Sequence, residues 1–351
     1  MNGEIEKFSR ELPKIELHAH LNGSLNPITL QHLVDRKKEK KPHLTNFKIP
    51  NQKLEIIDDF FKYFKFIYQL TDDEETVAYI TETVILDFHS DGIKYLELRT
   101  TPRSNEENGM THESYIRTVI SVIKKFPSSK HDIIVRLIVS INRQSTLEDA
   151  IKIVDLALKY KETGVVGVDL CGDPSRGHFD NLKPAFIKAK DNGLKVTLHF
   201  GEVESIIPEH ASMLTIPPDR IGHATYLDPN SKRYILFNKL PIEMCMTSNV
   251  MCNTVKDYQE HHIKDFLYAG HPCCLCTDDK GIFFSNLSTE YSIAASTFSL
   301  SYQQLFDLSY QCIDCIFDGD EVKIHLRKLW NDWWELCKPT LNTLNMKEGN
   351  I

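Results

Sequence analysis

His18 and His20 lie two residues apart in Lys14-Ile15-Glu16-Leu17-His18-Ala19-His20, a run that reads as a β-strand. Residues two apart on a strand face the same way, so both imidazoles can reach one point while Ala19 faces away. Neutral imidazole is a good zinc ligand, and two of them supply half of a tetrahedral set. Taken alone the pair is weak evidence, better explained by a packed or surface pair. The same chemistry recurs, however, at the ends of other apolar runs. His199 closes Val196-Thr197-Leu198-His199, and Glu202 follows it. His223 closes Arg220-Ile221-Gly222-His223, and Asp278 and Asp279 follow Cys273–Thr277. Buried Asp, Glu and His are costly unless paired or bound to metal, so the set points to a catalytic metal centre.

Groups so far apart in the chain need a scaffold that gathers strand ends. Strands are expected at Lys14–His20, Ile93–Thr100, Ile133–Ile141, Val165–Cys171, Lys195–Phe200, Arg220–Ala224, Pro241–Thr247 and Pro272–Thr277. Helical patterns fall between them, as at Leu54–Gln69, Glu74–His89, Ser145–Glu162 and Lys183–Asn192. Alternation of this kind implies a parallel α/β sheet with right-handed crossovers. Eight such units fit a (β/α)8 TIM-type barrel with extra helices, whose C-terminal strand ends converge on one mouth. An open doubly wound sheet is the competitor, but no GxGxxG follows the first strand. The barrel needs ~250 residues, and the surplus falls in a helical insertion at about 37–89 and in C-terminal helices from about Leu287, which include Trp330, Trp333 and Trp334. No composition break divides the chain, so residues 1–351 are read as one domain.

Composition sets the limits. With 351 residues, 41% hydrophobic and 26% charged, disorder and collagen-like structure are excluded. No apolar run reaches the ~18 residues of a membrane span, and the polar N-terminus lacks the core of a signal peptide. A net charge of -8 argues against a nucleic-acid polymer or a membrane surface as partner, but not against one phosphate in a local basic pocket. Nine cysteines, an odd number, several in apolar runs, suggest thiols in a reducing cytoplasm. Cys312 and Cys315 have CxxC spacing in an apolar helical segment and read as core. His261 and His262 read as structural, Arg36–Lys41 as a solvated basic face, and Pro217–Pro218 and Asp228–Pro229 as turns.

Six ordered blocks carry a resemblance: Leu17-His18-Ala19-His20-Leu21-Asn22-Gly23-Ser24, Asp169-Leu170-Cys171-Gly172-Asp173, His199-Phe200-Gly201-Glu202, Arg220-Ile221-Gly222-His223-Ala224, Thr247-Ser248-Asn249 and Thr277-Asp278-Asp279. Together they resemble the adenosine/AMP deaminase family, most closely its adenosine deaminase-like subgroup, which removes methylamine from N6-methyl-AMP. The resemblance implies a barrel of the metal-dependent hydrolase kind and one zinc ion (Zn2+) per chain, held by His18, His20, His199 and Asp278. It further implies Glu202 as proton donor, His223 as general base or oxyanion partner, and Asp279 as a purine contact. The chemistry is consistent with those roles. Zinc lowers the pKa of bound water to about 7, a desolvated Glu202 can deliver a proton to purine N1, and His223 can stabilise developing charge. Gly172, lacking Cβ, lets its N–H approach purine N3.

Two features address the substrate. Adenosine-specific members usually carry Asp where this chain has Asn22. A carboxylate there would repel a 5′-phosphate by ~4 kcal/mol at 4 Å and an effective dielectric of 20. Thr100, Thr101, Pro102 and Arg103 end the second strand, where two hydroxyls and a guanidinium fork could clamp phosphate. That turn also resembles the subgroup. Tyr68 and Asn142 depart from it, standing where it usually shows His and Asp on the substrate side. The expected ligand is thus a purine nucleoside monophosphate. The competing readings are a deaminase of the free nucleoside, and an inactive binding protein on the same barrel. Oligomeric state stays open, with a monomer the simplest form.

Overall fold

A computed structural model describes residues 2–48 and 57–348, so Leu54–Ile56 of the expected helix lie outside the described residues. The apolar runs form β1 (Lys14–His20), β2 (Ile93–Thr100), β3 (Ile134–Asn142), β4 (Val165–Cys171), β5 (Lys195–Phe200), β6 (Arg220–His223), β7 (Ile242–Met244) and β8 (Cys273–Leu275). They pair in sequence order as one parallel eight-stranded sheet. Beyond β8 the chain returns to β1 through a bridge between Ala19 and Asp278. There His20 N–H donates to Asp278 O at 2.9 Å, and Asp278 N–H donates to His18 O at 2.7 Å. These bonds nearly close the barrel and set Asp278 beside both β1 histidines.

Helices follow the strands; among the described residues Pro27–Lys37, Ile57–Leu70 and Glu74–Ser90 are inserted between β1 and β2, and after β8 a short helix, Lys280–Phe283, leads to the longer Leu287–Phe298, Tyr302–Cys315 and Asp320–Glu348. Alternation on the strands sends Ile15, Leu17 and Ala19 outward into the buried layer under the helices. Each large side chain buried there is worth ~1.5–3 kcal/mol. The inward positions are unusual for this architecture, whose interior is normally filled by branched apolar residues. Glu16, Glu97, Arg99, Asp169, Thr197, Arg220 and Glu243 are all fully buried. Glu243 accepts from Arg99 Nη2 at 2.8 Å, Arg220 Nε at 2.7 Å and Thr197 Oγ1 at 2.9 Å. Arg220 Nη2 also donates to Glu97 Oε2 at 2.5 Å, and its guanidinium lies 3.5 Å from the centre of the Phe317 ring.

Several boundaries differ from the sequence expectation. β7 ends at Met244 because Glu290 Oε2 accepts the Thr247 N–H at 3.1 Å, and a short helix, Met246–Met251, begins there. β8 ends at Leu275, since Glu16 Oε2 holds Thr277 N and Oγ1 at 3.0 and 2.8 Å. Pro184 favours a helix start near Lys183, yet the helix runs Phe179–Asp191 because Phe179 and Leu182 are buried and Glu209 accepts the Phe179 N–H. Asp228 is the N-cap of Pro229–Asn238, accepting from Asn230 and Ser231 N–H. The basic run is exposed at Arg36, Lys38, Glu39 and Lys40, as a solvated face requires, but Lys37 is buried and pairs with Asp72, as does Lys41, while Arg36 pairs with Glu75 at the surface.

Candidate metal centre and substrate mouth

His18 and His20 project from the end of β1, His199 from the end of β5, and Asp278 from the closing bridge. His199 Nε2 lies 3.2 Å from His18 Nε2 and 3.2 Å from His20 Nε2. Asp278 Oδ1 lies 3.3 and 3.4 Å from the same two β1 nitrogens. His18 Nδ1 donates to Glu243 Oε2 at 2.8 Å, and His199 Nδ1 donates to Asp169 Oδ1 at 3.0 Å. A carboxylate only accepts, so each neutral ring keeps its proton on Nδ1 and turns a bare Nε2 toward the other. Bare nitrogens that close repel unless a cation lies among them. A tetrahedron with bonds of ~2.0–2.1 Å has edges of ~3.3–3.4 Å, so the four atoms fit a small divalent metal ion.

The electrostatics agree. Burial pushes His20 down to about 3 against the pull of Asp278, leaving a neutral ligand. At His199 burial is outweighed by Asp169, and the ring rises to about 9, so the pocket favours positive charge at that nitrogen. Neighbouring residues make room for this set. A Cβ on Gly222 would fall 2.8 Å from His18 Cε1, so the glycine before His223 admits the ring. His223 and Asp278 have φ of 63° and 60°. Left-handed backbone at such residues costs ~1–3 kcal/mol each and persists where surrounding bonds impose it.

Glu202 and His223 meet beside the cluster, with His223 Nε2 3.6 Å from Glu202 Oε1 and 4.0 Å from Asp278 Oδ2. Burial raises the Glu202 carboxyl, opposed by His199 and reinforced by Asp278. Asp279 is raised further, by burial and then by the charges of Asp278 and Glu202, and its Oδ1 is buried without a hydrogen-bond partner among the described residues. Gly172 has φ of 101°, and a Cβ there would strike the Asn142 amide at 2.9 Å. Asn142 Oδ1 accepts from Gln144 N–H at 2.9 Å, and Thr101 Oγ1 lies 3.4 Å from Cys171 Sγ.

A second polar cluster gathers Asn22, Thr100, Arg103 and Tyr68. Arg103 Nη2 donates to Thr71 O at 2.7 Å, and Nη1 donates to Tyr68 O at 3.1 Å. Its guanidinium stacks 4.5 Å from the Tyr68 ring centre, and its Nε is buried with no partner among the described residues. Tyr115 OH is 2.8 Å from Thr100 Oγ1 and accepts from Asn22 Nδ2 at 3.5 Å. Pro102 is buried in the turn between Thr101 and Arg103.

Sequence reasoning misses Thr71 and Tyr115, which carry no motif: one ends a helix, and the other lies on the apolar face of the helix His112–Ile123. It also misses Asp169 and Glu243 as partners of the histidines, although each shows a signal, a lone acid inside an apolar strand.

A family model described as "Adenosine deaminase" matches residues 13–333. The N6-methyl-AMP deaminase of Danio rerio is 43% identical over 339 residues, 94% of this chain and 97% of that protein. The crystal structure of the Arabidopsis N6-mAMP deaminase aligns with a TM-score of 0.88 at 38% identity, covering 93% of this chain and 99% of that one. A structure of Arabidopsis ADAL complexed with IMP aligns at 0.87 with 38% identity, covering 93% and 98%. The matched span takes in all eight strands and the mouth they form, and the chain belongs to the adenosine deaminase family.

Proposed function

We propose that this protein is a hydrolytic deaminase that converts N6-methyl-AMP and water to IMP and methylamine, using one zinc ion per chain held by His18, His20, His199 and Asp278. The observation that carries the reading is the convergence of those four ligand atoms beside Glu202, in a chain of the adenosine deaminase family. Zinc, when bound, polarises water so that it can act as a nucleophile near neutral pH.

The chain's own groups supply the rest. Glu202, whose carboxyl burial raises, donates to purine N1 so that C6 can accept electrons. His223 faces the same space and stabilises charge on the oxygen that adds to C6. Asp279, whose carboxyl burial and its neighbours' charges raise and whose Oδ1 is buried without a partner among the described residues, contacts a ring nitrogen, and the Gly172 N–H meets N3. Asn22, Thr100, Thr101 and Arg103 take the 5′-phosphate, with Pro102 fixing the turn and Tyr68 and Asn142 lining the substrate side. The unpartnered Nε of Arg103 supports that assignment, because a buried donor wants an acceptor. Asn22 offers an amide where a carboxylate would repel the phosphate.

All of these residues come from one chain, so a monomer suffices, and we treat residues 1–351 as one deaminase domain. Among the described residues no helix is long and apolar enough to cross a membrane. Nine free cysteines support a reducing cytoplasm. The test is product analysis with the zinc-loaded protein. IMP and methylamine should form in equal amounts, cease on chelation and return with zinc. Formation that continues after the metal has been removed would sink the proposal.

A further inference from the structure

His223 is surrounded by a chain of hydrogen bonds whose direction can be read from one end. Ile263 N–H donates to His261 Nδ1 at 3.1 Å. A backbone N–H can only donate, so His261 carries its proton on Nε2. That nitrogen lies 3.2 Å from Asn249 Oδ1, which must be the acceptor. The Asn249 amide is thereby oriented, and its Nδ2 donates to His223 Nδ1 at 3.3 Å. Turning the amide over would set its NH2 against the His261 N–H. His223 therefore accepts a hydrogen bond at Nδ1 and keeps its own proton on Nε2, which is buried without a hydrogen-bond partner among the described residues.

The neighbouring imidazole acts on the same residue from the other side. His262 Nε2 donates to His223 O at 2.7 Å, on a backbone whose φ is 63°. The two rings stack with centres 4.4 Å apart. Burial pushes His261 down to about 2 and His262 to about 4, so both stay neutral at working pH. His261 and His262, read from sequence as structural, thus both act on His223, one on its ring through Asn249 and the other on its backbone carbonyl.

We infer that Asn249, His261 and His262 are positioning residues that hold His223 as a neutral ring with its proton on Nε2, so that it enters the reaction as a hydrogen-bond donor. His262 fixes the backbone, and the His261–Asn249 pair fixes the tautomer. Of the two roles the family resemblance offered for His223, this selects the oxyanion partner over the general base. The consequence for turnover rests on the deaminase reading, but the tautomer itself does not.

The test is long-range 1H–15N NMR of the histidine rings in 15N-labelled, zinc-loaded protein, with the His223 signals identified by their loss in His223→Gln. Wild type should show His223 protonated at Nε2 and bare at Nδ1. Asn249→Asp, which offers His223 only acceptors, should put a proton on Nδ1. His261→Leu should lower kcat by about 10–100-fold, as outer-sphere partners commonly do, with KM and bound zinc unchanged. His261→Gln, whose amide can still donate to Asn249, should recover most of that loss. A wild-type ring protonated at Nδ1, a bare Nδ1 in Asn249→Asp, or equal losses in the two His261 variants would overturn the inference. If the tautomers are as stated but no N6-methyl-AMP is turned over, the function reading fails instead.

Discussion

Burial raises the Glu202 carboxyl, and Asp278 adds to the effect against His199, which suits the proposed role of proton donor. Glu202 is not among the four converging ligand groups. Glu202→Gln should therefore retain zinc, checked by metal analysis, while kcat falls by about 10²–10⁴-fold, the usual range for a lost general acid. Near wild-type kcat would assign the proton to another group. Asn22 permits a sharper experiment. Its Oδ1 accepts from Thr71 Oγ1 at 3.2 Å and lies 3.5 Å from Arg103 Nη2. Asn22→Asp would add a charge that repels phosphate and also draws Arg103 to itself. KM should rise for the monophosphate far more than for its nucleoside, and equal rises would remove Asn22 from phosphate reading.

At the scale of elements, β7 is only three residues long, yet its Glu243 ties together β1, β2, β5 and β6 through His18, Arg99, Thr197 and Arg220. Buried ion pairs add little net stability compared with apolar packing, but breaking one strands a charge. Glu243→Gln should cost about 3–5 kcal/mol in urea unfolding. It should also weaken zinc binding by about 10–100-fold, because the His18 ring loses the carboxylate that fixes its tautomer. Unchanged affinity in a stable variant would show that Arg99 and Arg220, not His18, are what Glu243 serves. Such partnerships are poorly legible in sequence. The strands themselves were legible because apolar runs bounded by polar turns repeat along the chain, and so was the convergence of His18, His20, His199 and Asp278 at their ends. The ends of β7 and β8 were not, because Glu290 and Glu16 terminate them from remote positions. Nor was the pairing of Lys37 and Lys41 within the basic run, since Asp72 lies in a turn beyond another helix.

For the molecule as a whole, burial of thiols sets the alkaline limit of stability. Burial pushes Cys171 and Cys252 up to about 12, and raises Cys245, Cys273 and Cys276 as well. In the unfolded chain these groups ionise near pH 8.5. Above that pH the unfolded state binds fewer protons than the folded one, so stability falls as pH rises, by ~1.4 kcal/mol per pH unit for each thiol. Lys14 works in the opposite direction: burial, against the pull of Asp91, lowers it from 10.5 to about 8. Its unfolded form binds more protons between those values, and stability rises there. Five thiols outweigh one lysine, so the urea midpoint should drop steeply from about pH 9 to 11, and a flat or rising midpoint would contradict this balance. What the mouth of the barrel recognises decides what the molecule does. The most direct test is kcat/KM for N6-methyl-AMP and N6-methyladenosine, measured side by side on one zinc-loaded preparation. The monophosphate should be favoured by at least about 10–150-fold, the worth of one charge-assisted contact to phosphate. Equal values, or a preference for the nucleoside, would contradict it.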